Sequence, residues 1–215
     1  MALTSLFLDM KDKNVLIVGM GSVGIRRSRR FIEAEANVYI VTKDVDNDIK
    51  DELISKGAKF YSNDHLDELI EMCDLVVVAT SDHELNNEVA YKAKDKLINC
   101  ASDTSVSNVI VPSTFEIGSV IVSLYTNSKS SLMAKALRKK IQETITPADI
   151  LNIELQEHLR IPLKENIQSQ LDRKKFMEII KDNAEIQSLL DADKLDEAIN
   201  LADELLSKYI IEVRK

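Results

Sequence analysis

A glycine-rich turn near the N-terminus is the strongest local pattern in the sequence. Gly19, Gly21 and Gly24 have the GxGxxG spacing, in the run GMGSVG. In such a turn the first glycine lets the chain leave a strand sharply, the second lets the backbone approach a pyrophosphate, and the third lets helix and strand pack closely. The N–H groups and dipole of the helix that follows favour the phosphates. The turn therefore predicts a dinucleotide site, and its expected cofactor-binding residues are Gly19, Met20, Gly21, Ser22 and Val23.

The ends of two later apolar runs add candidate cofactor contacts. Thr42, Lys43 and Asp44 follow the second run, and Ala79 and Thr80 end the fourth. Ligands of open α/β sheets bind beyond the carboxyl ends of the strands, so we expect all five residues near the cofactor. A carboxylate such as Asp44 accepts from the ribose 2′-hydroxyl of NAD, whereas a lysine such as Lys43 tolerates the 2′-phosphate of NADP. NAD is the predicted cofactor, with NADP as the alternative.

Short apolar runs alternate with helical spacing over the first hundred residues. Runs such as NVLIV at 14–18 and DLVVVAT at 74–80 are continuous, which is typical of parallel strands buried on both faces. Strand–helix alternation is the pattern of βαβ crossovers. We therefore predict an α/β fold with an N-terminal Rossmann parallel sheet in residues 1–107. The predicted strands are 14–18, 37–41, 58–60, 74–80 and 97–100, and the predicted helices are 22–34, 46–56, 64–72 and 83–95.

The pattern changes beyond residue 100. NVIVPS at 108–113 and SVIVSLYT at 119–126 predict two antiparallel strands joined by a short FEIG connection. From Lys129 onward the spacing is almost entirely helical, with interruptions expected near Pro147 and Pro162. The sequence thus predicts a small two-strand segment with a basic helix in residues 108–146. An all-helical C-terminal domain is predicted for residues 147–215.

Composition excludes several classes of protein. The chain has 215 residues, a net charge of -8 and 45% hydrophobic residues, which indicates a globular protein without a broad surface for nucleic acid. Two cysteines, Cys73 and Cys100, suggest neither a disulfide framework nor a zinc site. No apolar run approaches the ~20 residues that cross a bilayer, and the N-terminus does not have the pattern of a signal peptide. We therefore expect a cytoplasmic protein that binds neither nucleic acid nor membrane.

Four motifs follow one another between residues 5 and 145. The glycine turn leads into Arg26-Arg27, and Ala79-Thr80-Ser81-Asp82 is followed by Asn86. A loop then runs from Asn99 to Pro112, and a serine-rich turn at Asn127 opens a basic helix that ends near Lys140. In order and spacing these motifs resemble the precorrin-2 dehydrogenase/sirohydrochlorin ferrochelatase family, the NAD-dependent part of siroheme synthase. The helical tail is similar only in character.

The resemblance implies oxidation of precorrin-2 to sirohydrochlorin, in which a hydride passes to nicotinamide C4 and a proton passes to a base. The family's catalytic aspartate lies three residues after the loop asparagine, where this chain has Ser102, and Asp103 is the candidate base one residue later. The alternative for Asp103 is a local turn with Thr104 and Ser105. The chain also departs from the family at Met20, which replaces a glycine, and at Ser131, which replaces a proline.

The implied substrate carries many carboxylates, so an acidic protein needs local donors and cations to bind it. Ser128 and Ser130, at a helix start, and Arg138 are the expected substrate-binding residues. For most basic side chains of this helix and of the first helix, a solvated helix face is the alternative. These side chains are Lys129, Lys135, Lys139, Lys140, Arg26, Arg27, Arg29 and Arg30. The three histidines lack metal-ligand spacing, so no resident metal is predicted, and His83 is the one that could face the cleft.

Three functions remain open at this point. The favoured one is an NAD-dependent precorrin-2 dehydrogenase that works as a homodimer through the 108–126 strands, as the resemblance implies, with metal insertion into sirohydrochlorin as an additional activity. The second is a regulatory module that senses a nucleotide without turnover, since Rossmann domains also serve as ligand-gated switches. The third is a chelatase that has lost hydride transfer together with the shifted aspartate.

Overall fold

A computed structural model describes residues 2–213, and it confirms the predicted Rossmann sheet. Five parallel strands are ordered β3-β2-β1-β4-β5, with helices in the connections. The strands are β1 (Asn14–Val18), β2 (Asn37–Val41), β3 (Lys59–Tyr61), β4 (Leu75–Val78) and β5 (Leu97–Cys100). The helices are α1 (Ser22–Glu33), α2 (Asn47–Ser55), α3 (Leu66–Met72) and α4 (His83–Lys92).

The central strands are buried on both faces, as their continuous apolar runs predict. Leu16 and Val76 belong to the cluster that packs under α3 and α4, whereas Ile17 and Val77 face the cluster under α1 and α2. The register pairs Val18 with Val41 on one side and with Val78 on the other. The carboxyl ends of β2, β1 and β4 therefore lie in one row, and this edge of the sheet is where a ligand of an open α/β fold binds.

Residues 108–112 of the predicted strand 108–113 are not a strand. Side chains of the Rossmann unit hold its backbone: Asn99 Nδ2 donates to the Val109 carbonyl at 2.9 Å, and Arg27 Nη2 donates to the Val111 carbonyl at 3.3 Å. Val109 and Val111 pack against the cluster under α1. The apolar run is thus partly buried on the sheet without entering a ladder, and the strand begins after Pro112, which has no N–H to donate.

The predicted antiparallel pair is present, but its first strand lies later in the chain than predicted. β6 (Ser113–Ile117) pairs with β7 (Val120–Leu124), so most of the FEIG connection is strand and Gly118-Ser119 alone forms the turn. Gly118 has φ +53°, in the left-handed region that suits a tight hairpin. The basic helix follows as α5 (Ser131–Thr144) and packs against β6.

Four further helices build a separate apolar core. They are α6 (Pro147–Asn166), α7 (Gln170–Lys181), α8 (Ala184–Asp191) and α9 (Leu195–Val213). Thr146 and Asp149 form a reciprocal capping box that starts α6, with Pro147 at its first position. The interruption expected at Pro162 is wrong: α6 continues through it to Asn166, because Leu159 and Leu163 on either side are fully buried in the core.

The chain divides into two compact units, Met1–Val111 and Pro112–Lys215. The first is the Rossmann unit, and it includes residues 108–111. The second contains the hairpin and helices α5 to α9. The three-part division of the chain, with a boundary at 146/147, stays a prediction. No helix within residues 2–213 is long and apolar enough to cross a membrane.

Candidate functional site

The glycine turn is packed so closely that two of its glycines have no room for a side chain. Gly19 has φ +94°, and a Cβ there would lie 2.8 Å from the Ala79 carbonyl oxygen. A Cβ on Gly24 would lie 2.0 Å from the Gly19 carbonyl oxygen, which is an impossible contact. A Cβ on Gly21 would meet nothing within 4 Å. Gly19 and Gly24 are therefore needed by the fold, whereas the open space at Gly21 suits the approach of a ligand.

The start of α1 offers N–H groups to an anion. Gly21 is the N-cap residue, and neither a side-chain cap nor an acidic residue satisfies the first turn. Ser22 is exposed and Val23 is partly buried at this helix end. The unpaired N–H groups and the helix dipole suit a pyrophosphate. The Met20 side chain turns away from this position, since it is buried and its sulfur lies 3.6 Å from Ser28 Oγ. Met20 thus lies at the predicted cofactor site with its backbone alone.

A cleft of about 410 Å³ lies beyond the ends of β2 and β3. Thr42, Lys43 and Asp44, all predicted cofactor contacts, line it together with Lys50 and Tyr61. Thr42 Oγ1 donates to the Asp44 carbonyl oxygen at 2.9 Å, so a local turn presents the exposed Lys43 and Asp44 side chains at the edge. The cleft holds both the carboxylate that suits an NAD ribose and lysines that tolerate a 2′-phosphate.

A network of side chains joins the ends of β4 and β5. Asn86, buried in α4, accepts from Thr80 Oγ1 and donates from its Nδ2 to the Thr80 carbonyl oxygen at 3.0 Å. The same Nδ2 donates to Ser102 Oγ at 3.0 Å. The Gly19 position lies against Ala79 and the Thr80 methyl group, so this network borders the glycine turn. The structure therefore brings the predicted residues Ala79 and Thr80 together with the loop that follows β5.

Asp103 forms the local turn that is the alternative to a catalytic role. Its carboxylate accepts from the Ser105 backbone N–H at 2.8 Å and caps the short 3-10 turn Thr104–Val106. The hydrogen bonds from Ser105, with a smaller contribution from the charge of His83, hold the pKa of Asp103 below its ordinary value of 3.8. Asp103 is thus a carboxylate at neutral pH. His83 is the first residue of α4, directly after β4, so it lies at the same edge of the sheet.

The arginines of α1 are partly engaged inside the Rossmann unit. Arg29 forms an ion pair with Glu52 of α2. Arg27 donates to the Val111 carbonyl, and its Nε and Nη1 are buried with no hydrogen-bond partner within residues 2–213. Burial, together with the charges of Arg26 and Arg30, lowers the pKa of Arg27 to about 10. Neither Arg27 nor Arg29 belongs to the solvated face that the charge pattern suggested as the alternative to binding.

The predicted substrate-binding residues lie in the second unit, around the start of α5. Ser130 is the N-cap residue, and its Oγ accepts from the Met133 N–H at 3.1 Å. The Ser128 hydroxyl lies 2.8 Å from the Tyr125 hydroxyl, and Ser128 has a left-handed φ of +58°. Arg138 is half-buried further along the helix, and no atom of residues 2–213 pairs with its buried Nε.

Sequence reasoning missed the linking role of Asn86. Asn86 belongs to one of the four motifs, but no role was predicted for it, although the sequence contains one sign of such a role. Asn86, Val89 and Ala90 share the buried face of α4 at helical spacing. A polar side chain within an apolar stripe needs hydrogen-bond partners, and such a residue marks a buried polar contact.

Comparison with known proteins identifies the family of the chain. A family model described as "Putative NAD(P)-binding" matches residues 6–113, the part of the chain that carries the glycine turn. A "Putative precorrin-2 dehydrogenase" of Methanocaldococcus jannaschii is 32% identical over 86% of this chain and 93% of that protein. The "Precorrin-2 dehydrogenase" of Methanosarcina barkeri is 25% identical over 96% of this chain and 94% of that protein.

Two further comparisons define how far the likeness extends. The "Siroheme synthase" of Buchnera aphidicola is 27% identical over 95% of this chain, but the match spans 44% of that longer protein. The solved structure described as "SirC, precorrin-2 dehydrogenase" superposes with a TM-score of 0.73 at 22% identity, over 94% of this chain and all of that one. The fold is thus shared across both units. By sequence and by fold, the chain belongs to the precorrin-2 dehydrogenase family.

Proposed function

We propose that this protein oxidises precorrin-2 to sirohydrochlorin with NAD, a step of siroheme biosynthesis. The observation that carries the proposal is the continuous edge formed by the glycine turn, Thr80, Asn86 and the Ser102-Asp103 loop. One part of that edge fits a dinucleotide phosphate, and the other presents a carboxylate beside it. Family relatives that match along nearly their whole length carry the same activity in their names.

The residues fit NAD at the phosphates and at the ribose. The N–H groups at the start of α1 would hold the pyrophosphate, with Gly21 leaving space for it, and Asp44 would accept from the adenosine ribose. When bound, NAD supplies the hydride acceptor for the oxidation. The chain's own task is to place substrate and cofactor together and to remove one proton.

Asp103 is the proposed base. Its depressed pKa keeps it ionised at neutral pH, so it can take up the proton that the oxidised macrocycle loses. A carboxylate with a low pKa is a weak base, and it suffices where the proton donor becomes acidic on oxidation.

The substrate's carboxylates are assigned to the start of α5. The N–H groups in the first turn of α5, after the N-cap Ser130, and the guanidinium of Arg138 supply hydrogen-bond donors of the kind that carboxylates need. The hydroxyls of Ser128 and Ser130 have internal partners, so the backbone carries more of this role than the sequence suggested. Lys135 and Lys139 add positive charge on the same helix.

We also propose that the protein is a cytoplasmic homodimer. A two-stranded sheet is marginal by itself, and Ile121 on β7 with Leu132 and Met133 on α5 leave apolar surface exposed. We assign this surface to a second copy in a homodimer, and Leu132→Glu should yield monomers in analytical ultracentrifugation. A cytoplasmic location is consistent with the two cysteines, both buried and free.

Anaerobic incubation of the protein with precorrin-2 and NAD tests the proposal. The expected result is NADH together with the sirohydrochlorin spectrum. Asp103→Asn should slow the reaction by about a hundredfold, the scale of general base catalysis, and leave NAD binding unchanged. NAD binding without either product would favour the regulatory module. Addition of ferrous ion to sirohydrochlorin in the same assay tests metal insertion, and turnover there alone would favour the chelatase.

A further inference from the structure

Asn86 is a buried polar residue whose hydrogen-bonding capacity is almost fully used. It is 1% exposed, in a helix face otherwise formed by Val89 and Ala90. Burial of an amide in such a place is unfavourable unless its donors and acceptor are paired. The pairs it makes are to Thr80, at the end of β4, and to Ser102, beyond β5. Asn86 thus connects two loops that follow neighbouring strands of the sheet.

The direction of the Asn86 amide follows from its partners. The Thr80 carbonyl oxygen can only accept, and it lies 3.0 Å from Asn86 Nδ2. Exchanging the oxygen and nitrogen of the amide would place two acceptors against each other, so the nitrogen must face the Thr80 carbonyl oxygen. The same nitrogen reaches Ser102 Oγ at 3.0 Å. Ser102 therefore accepts a hydrogen bond from Asn86.

This contact leaves the Ser102 proton free to be donated. Ser102 is exposed, and apart from Asn86 its hydroxyl contacts Cys100 Sγ at 3.4 Å, a weak partner. An accepted hydrogen bond restricts the rotation of the hydroxyl and strengthens it as a donor. The loop beyond β5 thus carries two groups with different tasks, an ionised carboxylate at Asp103 and an oriented hydroxyl at Ser102.

We propose that Asn86 is a positioning residue that aims the Ser102 hydroxyl at an oxygen acceptor of the nicotinamide carboxamide. This inference rests on the proposed function. It assigns the alignment of the nicotinamide, which accepts the hydride, to the neutral pair Asn86–Ser102. The carboxamide is the expected acceptor because the ends of β4 and β5 lie on one side of the glycine turn, and the cleft lined by Thr42, Lys43 and Asp44 lies on the other. Phosphate and ribose contacts then supply affinity, and Asn86 with Ser102 supplies alignment.

Alignment and affinity predict different kinetic effects. Asn86→Ala and Ser102→Ala should each lower kcat about tenfold, the effect of one hydrogen bond, and leave the Kd of NAD within about twofold. The deuterium isotope effect on hydride transfer from labelled precorrin-2 should rise in both variants, because misalignment makes that step more limiting. A purely structural role of Asn86 would change stability and leave the isotope effect unchanged.

A double-mutant cycle tests whether Asn86 acts through Ser102. The double variant should be about as slow as either single variant, since both remove the same interaction. Asn87→Ala, on the exposed neighbour of Asn86, is the control and should retain wild-type kcat. Fully additive effects, or a wild-type isotope effect in Ser102→Ala, would overturn the inference.

Two further measurements keep the outcomes separate. If Asn86→Ala fails to fold, Ser102→Ala and Thr80→Val still report the pair, because Ser102 is exposed and valine matches the volume of Thr80. Both should lower kcat, and a wild-type kcat in both contradicts the inference. The thermal midpoint should be nearly unchanged in Ser102→Ala and lower in Thr80→Val, which leaves the buried Asn86 Oδ1 without its donor. Failure of the proposed function is distinct, since the wild-type protein itself would then form no NADH from precorrin-2.

Discussion

The two ends of the ligand-binding edge are built by different means. Around Gly19 and Gly24 the site is made of backbone, and its geometry depends on the absence of Cβ atoms. Around Asn86 and Ser102 it is made of side chains, and its geometry depends on an amide and two hydroxyls. A backbone-built site fails when a side chain is added at a closely packed position, whereas a side-chain-built site fails only when its chemistry changes.

This difference assigns separate tasks to the two regions. The backbone region presents unpaired N–H groups at fixed positions, which is what a phosphate of any dinucleotide requires. The side-chain region carries the groups that distinguish one reaction from another, among them the Asp103 carboxylate and the Ser102 hydroxyl. Variants in the first region should therefore affect binding or folding, and variants in the second should affect turnover.

The largest effect is expected from Gly24→Ala. Its Cβ would stand 2.0 Å from the Gly19 carbonyl oxygen, so α1 must move away from the turn. We expect a loss of about 3 kcal/mol in the free energy of unfolding, the upper range of overpacking, and no measurable NAD binding. Urea denaturation and calorimetric titration with NAD measure the two quantities.

Gly21→Ala is the matched control for Gly24→Ala. Its Cβ meets no atom within 4 Å, so unfolding should be unchanged, while NAD affinity should fall about tenfold because the methyl group stands where the pyrophosphate approaches. Equal loss of stability in both glycine variants would contradict the division between a glycine needed by the fold and one needed by the ligand.

Met20→Ala should lower the stability of the fold without weakening NAD binding. The Met20 side chain is 7% exposed and packs in the cluster under α1, beside Ser28. Removing it leaves a cavity that should lower the free energy of unfolding by about 2 kcal/mol. NAD affinity should stay within about twofold, because only the Met20 backbone lies in the turn. A large loss of NAD affinity at full stability would show that the side chain itself contacts the cofactor.

The backbone region was predictable from sequence and the side-chain region was not. Glycine spacing after an apolar run is a local pattern, so the sequence alone places Gly19, Gly21 and Gly24 in the turn. The bond from Asn86 to Ser102 spans sixteen residues and requires that β4 and β5 be neighbours. No local pattern carries that information, and a buried polar residue in a helix face was the only indication.

The same reason explains the misplaced strand at 108–113. Its apolar residues have the pattern of a strand, but the backbone is held by the side chains of Asn99 and Arg27, which are distant in sequence. The continuous strands β1 and β4 were predictable, since burial on both faces leaves a run with few polar residues. Local periodicity thus predicts the elements, and long-range side-chain contacts decide the segments between them.

Asp44→Asn should change the preference between NAD and NADP, because Asp44 is the one acidic side chain expected at the ribose. The carboxylate of Asp44 lies on the cleft with Lys43 and Lys50, and it repels a 2′-phosphate. Its removal should shift the ratio of the KM values for NAD and NADP about fivefold toward NADP, which corresponds to about 1 kcal/mol for one exposed charge pair. The wild-type ratio measured in parallel is the reference, and an unchanged ratio would place the ribose elsewhere.

The smallest effect on stability is expected at Glu52, which pairs with Arg29 of α1, the helix that follows the glycine turn. Hydrogen bonds from Arg29 and Lys56 lower the pKa of Glu52 from 4.5 to about 2. Because the folded protein binds the Glu52 proton less readily than the unfolded chain, the ion pairs stabilise the fold above pH 4.5, and this contribution is lost as the pH falls towards about 2. Both partners are partly exposed, so the contribution is small.

Glu52→Gln should therefore lower the urea midpoint slightly at neutral pH and converge with the wild type in acid. The Asn86 network contains neutral groups, so Asn86→Ala should keep its deficit in stability across the same pH range. A constant difference between Glu52→Gln and the wild type down to pH 2 would show that the ion pairs do not link α1 to α2.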